Sequence, residues 1–199
     1  MVQILAEAER TSRLIGSLLV LARADAGEGG FHRELTELST SVREAVEQGR
    51  RIAAEKRVQL TDELGQKPLT ILGDAEALTR LFFILIENAV KYNTEGGLVQ
   101  VQLSEQSGHA VFRIMDSGIG IAEKDLGHIF DRFWRADKVR SRGMGGAGLG
   151  LSIARWIVDR HQGTIEVASQ LGKGASFIVK IPRRASEELR VKRQAQQSA

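Results

Sequence analysis

An α+β fold is predicted by two patterns in the chain. Alternating Val99, Val101 and Leu103, and then Phe112, Ile114 and Asp116, read as two strands of a half-buried sheet. Apolar residues at three- and four-residue spacing elsewhere read as helices with one buried face. A third pattern separates a long first helix from the body: Ile4, Ala8, Thr11, Ile15, Leu18 and Ala22 form a stripe suited to packing on other helices. Ala26-Gly27-Glu28-Gly29-Gly30 interrupts that stripe and reads as a linker. The 199 residues, 42% hydrophobic and 27% charged, suffice for one substantial core and a small appendage.

The elements follow in order. Residues 1–26 are the first helix, 27–30 the linker, 31–184 the globular domain and 185–199 a polar, basic tail expected to be disordered. A short strand is expected around Phe31 to Leu38. Ser41-Val42-Arg43-Glu44 matches a capping box, and Val42, Ala45, Val46, Ile52 and Ala53 give the buried stripe of the helix it would open. Strands are expected at Val58–Leu64 and Leu69–Leu72. Asp74 suits the N-cap of a helix whose Leu78, Leu81, Phe82, Leu85 and Ala89 face the core up to Tyr92. Turns at Asn93–Gly97 and Gln106–Gly108 punctuate the alternating strands. A short helix is expected near Ile129, and another carries Leu149, Ile153, Trp156 and Ile157 on one face. Two last strands surround Gly172-Lys173-Gly174, and Pro182 stops the second.

Composition excludes several functions. Lys and Arg number 28 against 25 Asp and Glu, and this net +3 is spread too thinly for a nucleic-acid footprint. The absence of cysteine excludes disulfides and thiolate metal sites. No stretch approaches the roughly 20 apolar residues of a membrane span, and no signal-peptide pattern opens the chain, so a soluble chain is expected.

Three segments carry chemistry. In Glu87-Asn88-Ala89-Val90-Lys91-Tyr92, helical spacing stacks Asn88, Lys91 and Tyr92 on one side. An amide oxygen for Mg²⁺, an ammonium for phosphate and an aromatic edge for a base or sugar stand together. In Asp116-Ser117-Gly118-Ile119-Gly120-Ile121, a carboxylate after an apolar strand can accept from the adenine amino group, and Gly118 and Gly120 permit close backbone approach. In Gly145-Gly146-Ala147-Gly148-Leu149-Gly150-Leu151, glycines open a helix whose N–H groups and dipole favour a triphosphate. Taken singly, each also fits an ordinary polar side chain, a strand-ending turn or a loop end. As an ordered set they read as an ATP site.

These segments resemble the catalytic, ATP-binding domain of bacterial sensor histidine kinases, in the superfamily shared with DNA gyrase, Hsp90 and MutL. The N box corresponds to Glu87–Tyr92, the first G box to Asp116–Ile121, the F box to Phe130-Asp131-Arg132-Phe133 and the second G box to Gly146–Leu151. Gly172-Lys173-Gly174-Ala175-Ser176-Phe177 resembles the last glycine motif. The resemblance implies a two-layer α/β sandwich, a mixed sheet covered by helices on one face and preceded by a long helix. It implies that Asn88 holds Mg²⁺, that Lys91 and Arg135 contact phosphates, that Tyr92 packs beside the base, and that Asp116 binds adenine with Ser176 helping through water. Gly118, Gly120, Ile121, Gly146, Gly148, Leu149, Gly150 and Leu151 complete the implied nucleotide-binding set. Trp134–Gly145, with Arg135, Lys138, Arg140 and Arg142, would be a mobile lid.

The first helix, with Leu14-Ile15-Gly16-Ser17-Leu18-Leu19, resembles the second helix of the family's dimerisation hairpin. The acceptor histidine would then lie on a helix absent here. The resemblance further implies a homodimer, a response-regulator receiver domain as partner, no nucleic acid, and the cytoplasmic part of an inner-membrane sensor whose membrane contact lies in absent segments. His32-Arg33-Glu34-Leu35-Thr36 resembles the acceptor segment only superficially, because it enters a strand and lacks proline. His109, His128 and His161 read as surface or capping residues. One departure stands out: Ile84 occupies the position, one turn before Asn88, where the family usually has Asn. Ile84 can neither act as a base nor order water, so poor ATP hydrolysis is expected, whereas transfer to a histidine remains open. A catalytically weak nucleotide-binding module is the alternative; Ile84 and the first helix disfavour an ATPase of the gyrase or Hsp90 type.

Overall fold

A computed structural model describes residues 15–16, 32–65, 68–135 and 147–183. The expected first helix lies outside them except for Ile15 and Gly16, which are helical; the linker, residues 136–145 of the expected lid and the tail 185–199 also lie outside. The described chain runs β1 (Glu34–Glu37), α1 (Leu38–Glu55), β2 (Gln59–Glu63), β3 (Thr70–Gly73), α2 (Ala75–Lys91), β4 (Leu98–Gln106), β5 (His109–Asp116), α3 (Glu123–Leu126), α4 (Gly150–Arg160), β6 (Thr164–Ser169) and β7 (Ala175–Pro182).

Five strands form one mixed sheet in the order β2-β4-β5-β7-β6, with β2 and β4 parallel and the other pairs antiparallel. β1 and β3 pair separately and antiparallel. The predicted alternation holds: Val99, Val101, Leu103, Phe112 and Ile114 are buried, and so are Phe177, Val179 and Ile181 of β7. These side chains form one core with Leu78, Leu81, Phe82 and Leu85 of α2 and Ile153 and Ile157 of α4, which gives the expected two layers. Phe82 meets Phe112 with ring centroids 4.5 Å apart, bolting α2 onto β5. β4 and β5 are joined by Ser107 and Gly108, with φ of 49° and 76°, as a two-residue hairpin matched to strand twist requires.

Asp74 caps α2 as predicted, its Oδ1 accepting from the Ala77 N–H at 2.9 Å. The capping box at Ser41 is a misreading. α1 begins at Leu38, and its N-cap Glu37 makes no side-chain cap bond. The Leu38 N–H donates instead to the Leu69 carbonyl at 2.7 Å, and the Ser41 hydroxyl donates to Ala75 at 3.4 Å. Tertiary partners satisfy this helix start, so no local cap is required. The short helix lies earlier than expected, at Glu123–Leu126, with acidic residues in its first turn. Ile129 is the buried anchor of the turn that follows.

Candidate nucleotide-binding site

The last turn of α2 is central to the site. Asn88 is half-buried, and its Nδ2 donates to the Ile84 carbonyl at 3.0 Å, which fixes the amide and commits Oδ1 as the outward acceptor. Gly150, opening α4, lies against the same amide: a Cβ there would stand 3.8 Å from Asn88 Nδ2 and 3.4 Å from Ile84 Cγ2. The N-box helix and the second glycine motif therefore meet as expected. Ile84 is buried in that seam and brings no polar atom to it. Tyr92 closes α2, its N–H donating to the Asn88 carbonyl at 3.0 Å. Lys91 Nζ stands 5.2 Å from the Tyr92 ring centre. Burial pushes the Tyr92 hydroxyl up, while the Arg135 guanidinium draws it back and Glu87 raises it further. Arg135 thus acts on the same corner as Lys91 and Tyr92.

Tyr92 also links α2 to the base-reading loop, because its carbonyl accepts from the Ile119 N–H at 3.0 Å. Asp116 ends β5 on the core-facing side, in register with buried Val99. Its Oδ1 accepts from the Gly118 N–H at 2.8 Å and the Ala175 N–H at 3.3 Å. Burial raises the carboxyl above its ordinary value, and those two N–H bonds oppose the rise. The result is a half-buried carboxylate anchored on one oxygen, suited to reading a donor with the other.

Asp116, Gly118, Gly120 and Ile121 come together, but the glycines serve a purpose other than the one expected. A Cβ at Gly118 would overlap the Tyr92 carbonyl oxygen, one at Gly120 the Gln170 carbonyl, and one at Gly174 the Asp116 carbonyl. Their small size lets protein backbone approach protein backbone, joining α2, this loop and the β6–β7 hairpin. Gly148, at φ +72°, accepts through its carbonyl from the Phe133 N–H at 2.9 Å, and a Cβ would stand 2.8 Å from the Trp134 carbonyl. The two flanks of residues 136–146 are thereby pinned together. Gly146 lies outside the described residues. Leu149 is 2% exposed and is a core residue, so only its backbone faces the site. Leu151 is partly buried against the core, and α4 starts without a side-chain cap.

Ser176 is misassigned. It pairs with Met115 and Ala168, while Phe177, Val179 and Ile181 point into the core. Strand alternation therefore sets Ser176 on the opposite face from Asp116 and puts Ala175 beside it. The period-two pattern of β7 already contained this phase. Three polar residues that the sequence did not single out brace the loop. Ser169 Oγ accepts from the Ile121 N–H at 2.8 Å and donates to Gly174 at 2.7 Å. Buried Asn93 donates to the Leu98 carbonyl at 3.0 Å, and Ser117 Oγ accepts from the Leu98 N–H at 2.8 Å.

The histidines stand elsewhere. His161, 5% exposed, accepts at Nε2 from the Asp74 N–H at 3.1 Å and donates from Nδ1 to Ile157 at 2.8 Å. The His32 N–H donates to Asp74 Oδ2 at 3.2 Å. Both sit at the start of α2, about 21 Å from Asn88 at 1.5 Å per residue. His109 begins β5, about 23 Å from Asp116 by strand rise, and exposed His128 pairs with Asp131. A surface groove of about 460 Å³ lined by Glu44, Gln48, Glu76, Thr79, Arg80 and Phe83 also lies at the start of α2, away from the glycine motifs. Among the described residues no helix is long and apolar enough to cross a membrane.

Known proteins with this arrangement agree. Residues 73–185 match the family described as histidine kinase-, DNA gyrase B- and HSP90-like ATPases. The sensor histidine kinase RppB of Synechocystis sp. is 36% identical over 176 residues, covering 88% of this chain and 39% of that protein. WalK of Bacillus subtilis, a sensor histidine kinase, is 34% identical over 184 residues, covering 92% and 30%. The chain thus spans less than half the length of these curated relatives. The mycobacterial sensor histidine kinase MprB superposes with a TM-score of 0.67 at 27% identity, covering 77% of this chain and 99% of that one. Full-length ShkA in complex with AMPPNP superposes at 0.76 with 28% identity, covering 91% and 38%. With the ordered glycine motifs, the mixed sheet and these matches in agreement, the chain belongs to the histidine kinase-, DNA gyrase B- and HSP90-like ATPase family.

Proposed function

We propose that this chain is the ATP-binding kinase part of a two-component sensor, passing the ATP γ-phosphoryl to a histidine carried outside its 199 residues. The observation that carries this reading is the meeting at one helix end of Asn88 with Gly150 of α4 and of Tyr92 with the Asp116 loop. A nucleotide laid across that end has its base at Asp116 and its phosphates at the start of α4. The Asp116 carboxylate accepts from the 6-amino group, which guanine lacks. The helix-start N–H groups and the Lys91 and Arg135 cations receive the phosphates. Among the described residues no cluster of three or more His, Cys, Asp or Glu could cage a metal. A single amide oxygen on Asn88 suits Mg²⁺, which keeps waters and shares its coordination with substrate phosphates. When bound, the ion neutralises phosphate charge.

Transfer forms an N–P bond on the acceptor imidazole as the bond to the β-phosphate oxygen breaks and ADP departs. The chain's part in that step is positioning and charge, which dominate phosphoryl transfer. His32, His109 and His161 stand about 20 Å from the site along their elements, exposed His128 is paired with Asp131, and so the acceptor is assigned to another segment. A receiver-domain aspartate would then take the phosphoryl group, in the setting of a dimeric sensor whose membrane contacts lie outside the described residues. Ile84, packed at the Asn88–Gly150 seam, favours a second reading, a nucleotide-binding module of weak catalytic power. Incubation with labelled Mg-ATP separates the two. The first reading expects no acid-labile label on this chain alone and slow transfer to a supplied acceptor hairpin. Binding without transfer, with Ile84 intact or changed to Asn, supports the second.

A further inference from the structure

The geometry points to Ser169 as a positioning residue for adenine recognition, acting on the Asp116 carboxylate through the Gly174–Ala175 peptide. This inference rests on the reading of Asp116 as the adenine acceptor. The carbonyl of Gly174 and the N–H of Ala175 belong to one planar peptide unit. The Ser169 hydroxyl donates to that carbonyl at 2.7 Å, and the N–H on its other side donates to Asp116 Oδ1 at 3.3 Å. Ser169 Oγ in turn accepts from the Ile121 N–H at 2.8 Å. A single file of donors therefore runs from Ile121 through Ser169 and the peptide to Asp116. Because Asp116 and Ile121 bound the same loop, the file closes a ring around it.

Two consequences follow. The file is oriented head to tail, so each bond polarises the next and strengthens the donor that reaches the carboxylate. The ring also fixes the rotation of the Asp116 side chain: Oδ1 is held by Ala175 and, at 2.8 Å, by Gly118, which turns Oδ2 toward the base. The ordinary alternative is that Ser169 simply finishes β6. That role would stabilise the hairpin without distinguishing one nucleotide from another.

The test compares Mg-ATP with Mg-purine riboside triphosphate, which has hydrogen in place of the 6-amino group, on the 199-residue chain. Ser169→Ala should weaken ATP about tenfold, the scale of one lost hydrogen bond with its partner left unpaired, and change the deaminated analogue by less than about twofold. Ser169→Thr, which keeps the hydroxyl, should restore ATP affinity. Equal weakening of both nucleotides, or weakening of neither, would overturn the proposal. Should the Ala variant unfold on heating at too low a temperature to titrate, Ser169→Cys replaces it, with an intermediate loss expected for ATP alone and an equal loss for both nucleotides overturning the proposal. Asp116→Ala serves as the control on the underlying reading. If that variant binds ATP as the parent does, the adenine assignment itself fails; if it loses ATP while Ser169→Ala does not, only the role of Ser169 fails.

Discussion

Around Asp116 the backbone is tied on every side: Ile119 to Tyr92, Gly172 to Ile119, Ile121 to Ser169 and Ala175 to Asp116, whereas the start of α4 has no side-chain cap and is held chiefly by buried Leu149 and the Gly148–Phe133 bond. The base end is built before any ligand arrives, from segments far apart in sequence. The phosphate end offers a helix start and cations, which suit a ligand whose charge is spread over many oxygens. A side chain added where backbones meet should be all-or-none in effect at the first end and graded at the second.

The sharpest break in this contrast comes from paired glycine substitutions. Gly174→Ala puts a Cβ onto the Asp116 carbonyl at a φ of +79° and should cost about 3 kcal/mol or more, with ATP binding lost. Gly150→Ala meets Ile84 Cγ2 at 3.4 Å and Asn88 Nδ2 at 3.8 Å, ordinary contact distances, and should change stability by less than about 1 kcal/mol. Calorimetric unfolding of the pair checks both; similar melting would dissolve the distinction.

Asp116→Ala comes next. A charged hydrogen bond of about 1.5–3 kcal/mol is removed, so ATP affinity should fall roughly 10- to 150-fold with the fold intact, and GTP should bind the parent far more weakly than ATP. At the phosphate end, Lys91→Ala or Arg135→Ala should weaken ATP about tenfold and leave adenosine affinity unchanged. Titration with both ligands reads the two ends separately.

How far the sequence reached follows the same division. Asp74 was legible because an N-cap is a local device, and the stripes of α2 and β5 were legible because burial imposes a period. The ordered motifs pointed to segments that the fold brings together at the end of α2. Their purpose was not legible: the partners of Gly118, Gly120 and Gly174 are Tyr92, Gln170 and Asp116, contacts that exist only after the sheet and hairpin come together. Ser169 and Asn93 escaped for the same reason. Ser41 matched a capping pattern, but α1 begins three residues earlier, held by Leu69. The resemblance implies Ser176, whereas the phase of Phe177, Val179 and Ile181 assigns the site-facing position to Ala175.

The smallest expected effect lies away from both ends, at His161. Burial holds this imidazole below its ordinary value, opposed by its bond to Ile157 and by Asp74 and reinforced by Arg33. Below about pH 6.5 the unfolded chain binds a proton that the folded chain refuses. Stability should therefore be level above that pH and fall as pH drops below it, by at most about 1.4 kcal/mol per unit. His161→Gln should flatten the slope of melting temperature between pH 6.5 and 5.5.

Amide chemical-shift mapping on addition of Mg-ATP tests most directly that one nucleotide spans both ends. Perturbations should form a continuous set through Asn88–Tyr92, Asp116–Ile121, Gly148–Ser152 and Ala175, with the groove around Glu44 and Thr79 unmoved. Shifts confined to that groove, or absent from the Asp116 loop at saturating nucleotide, would contradict it.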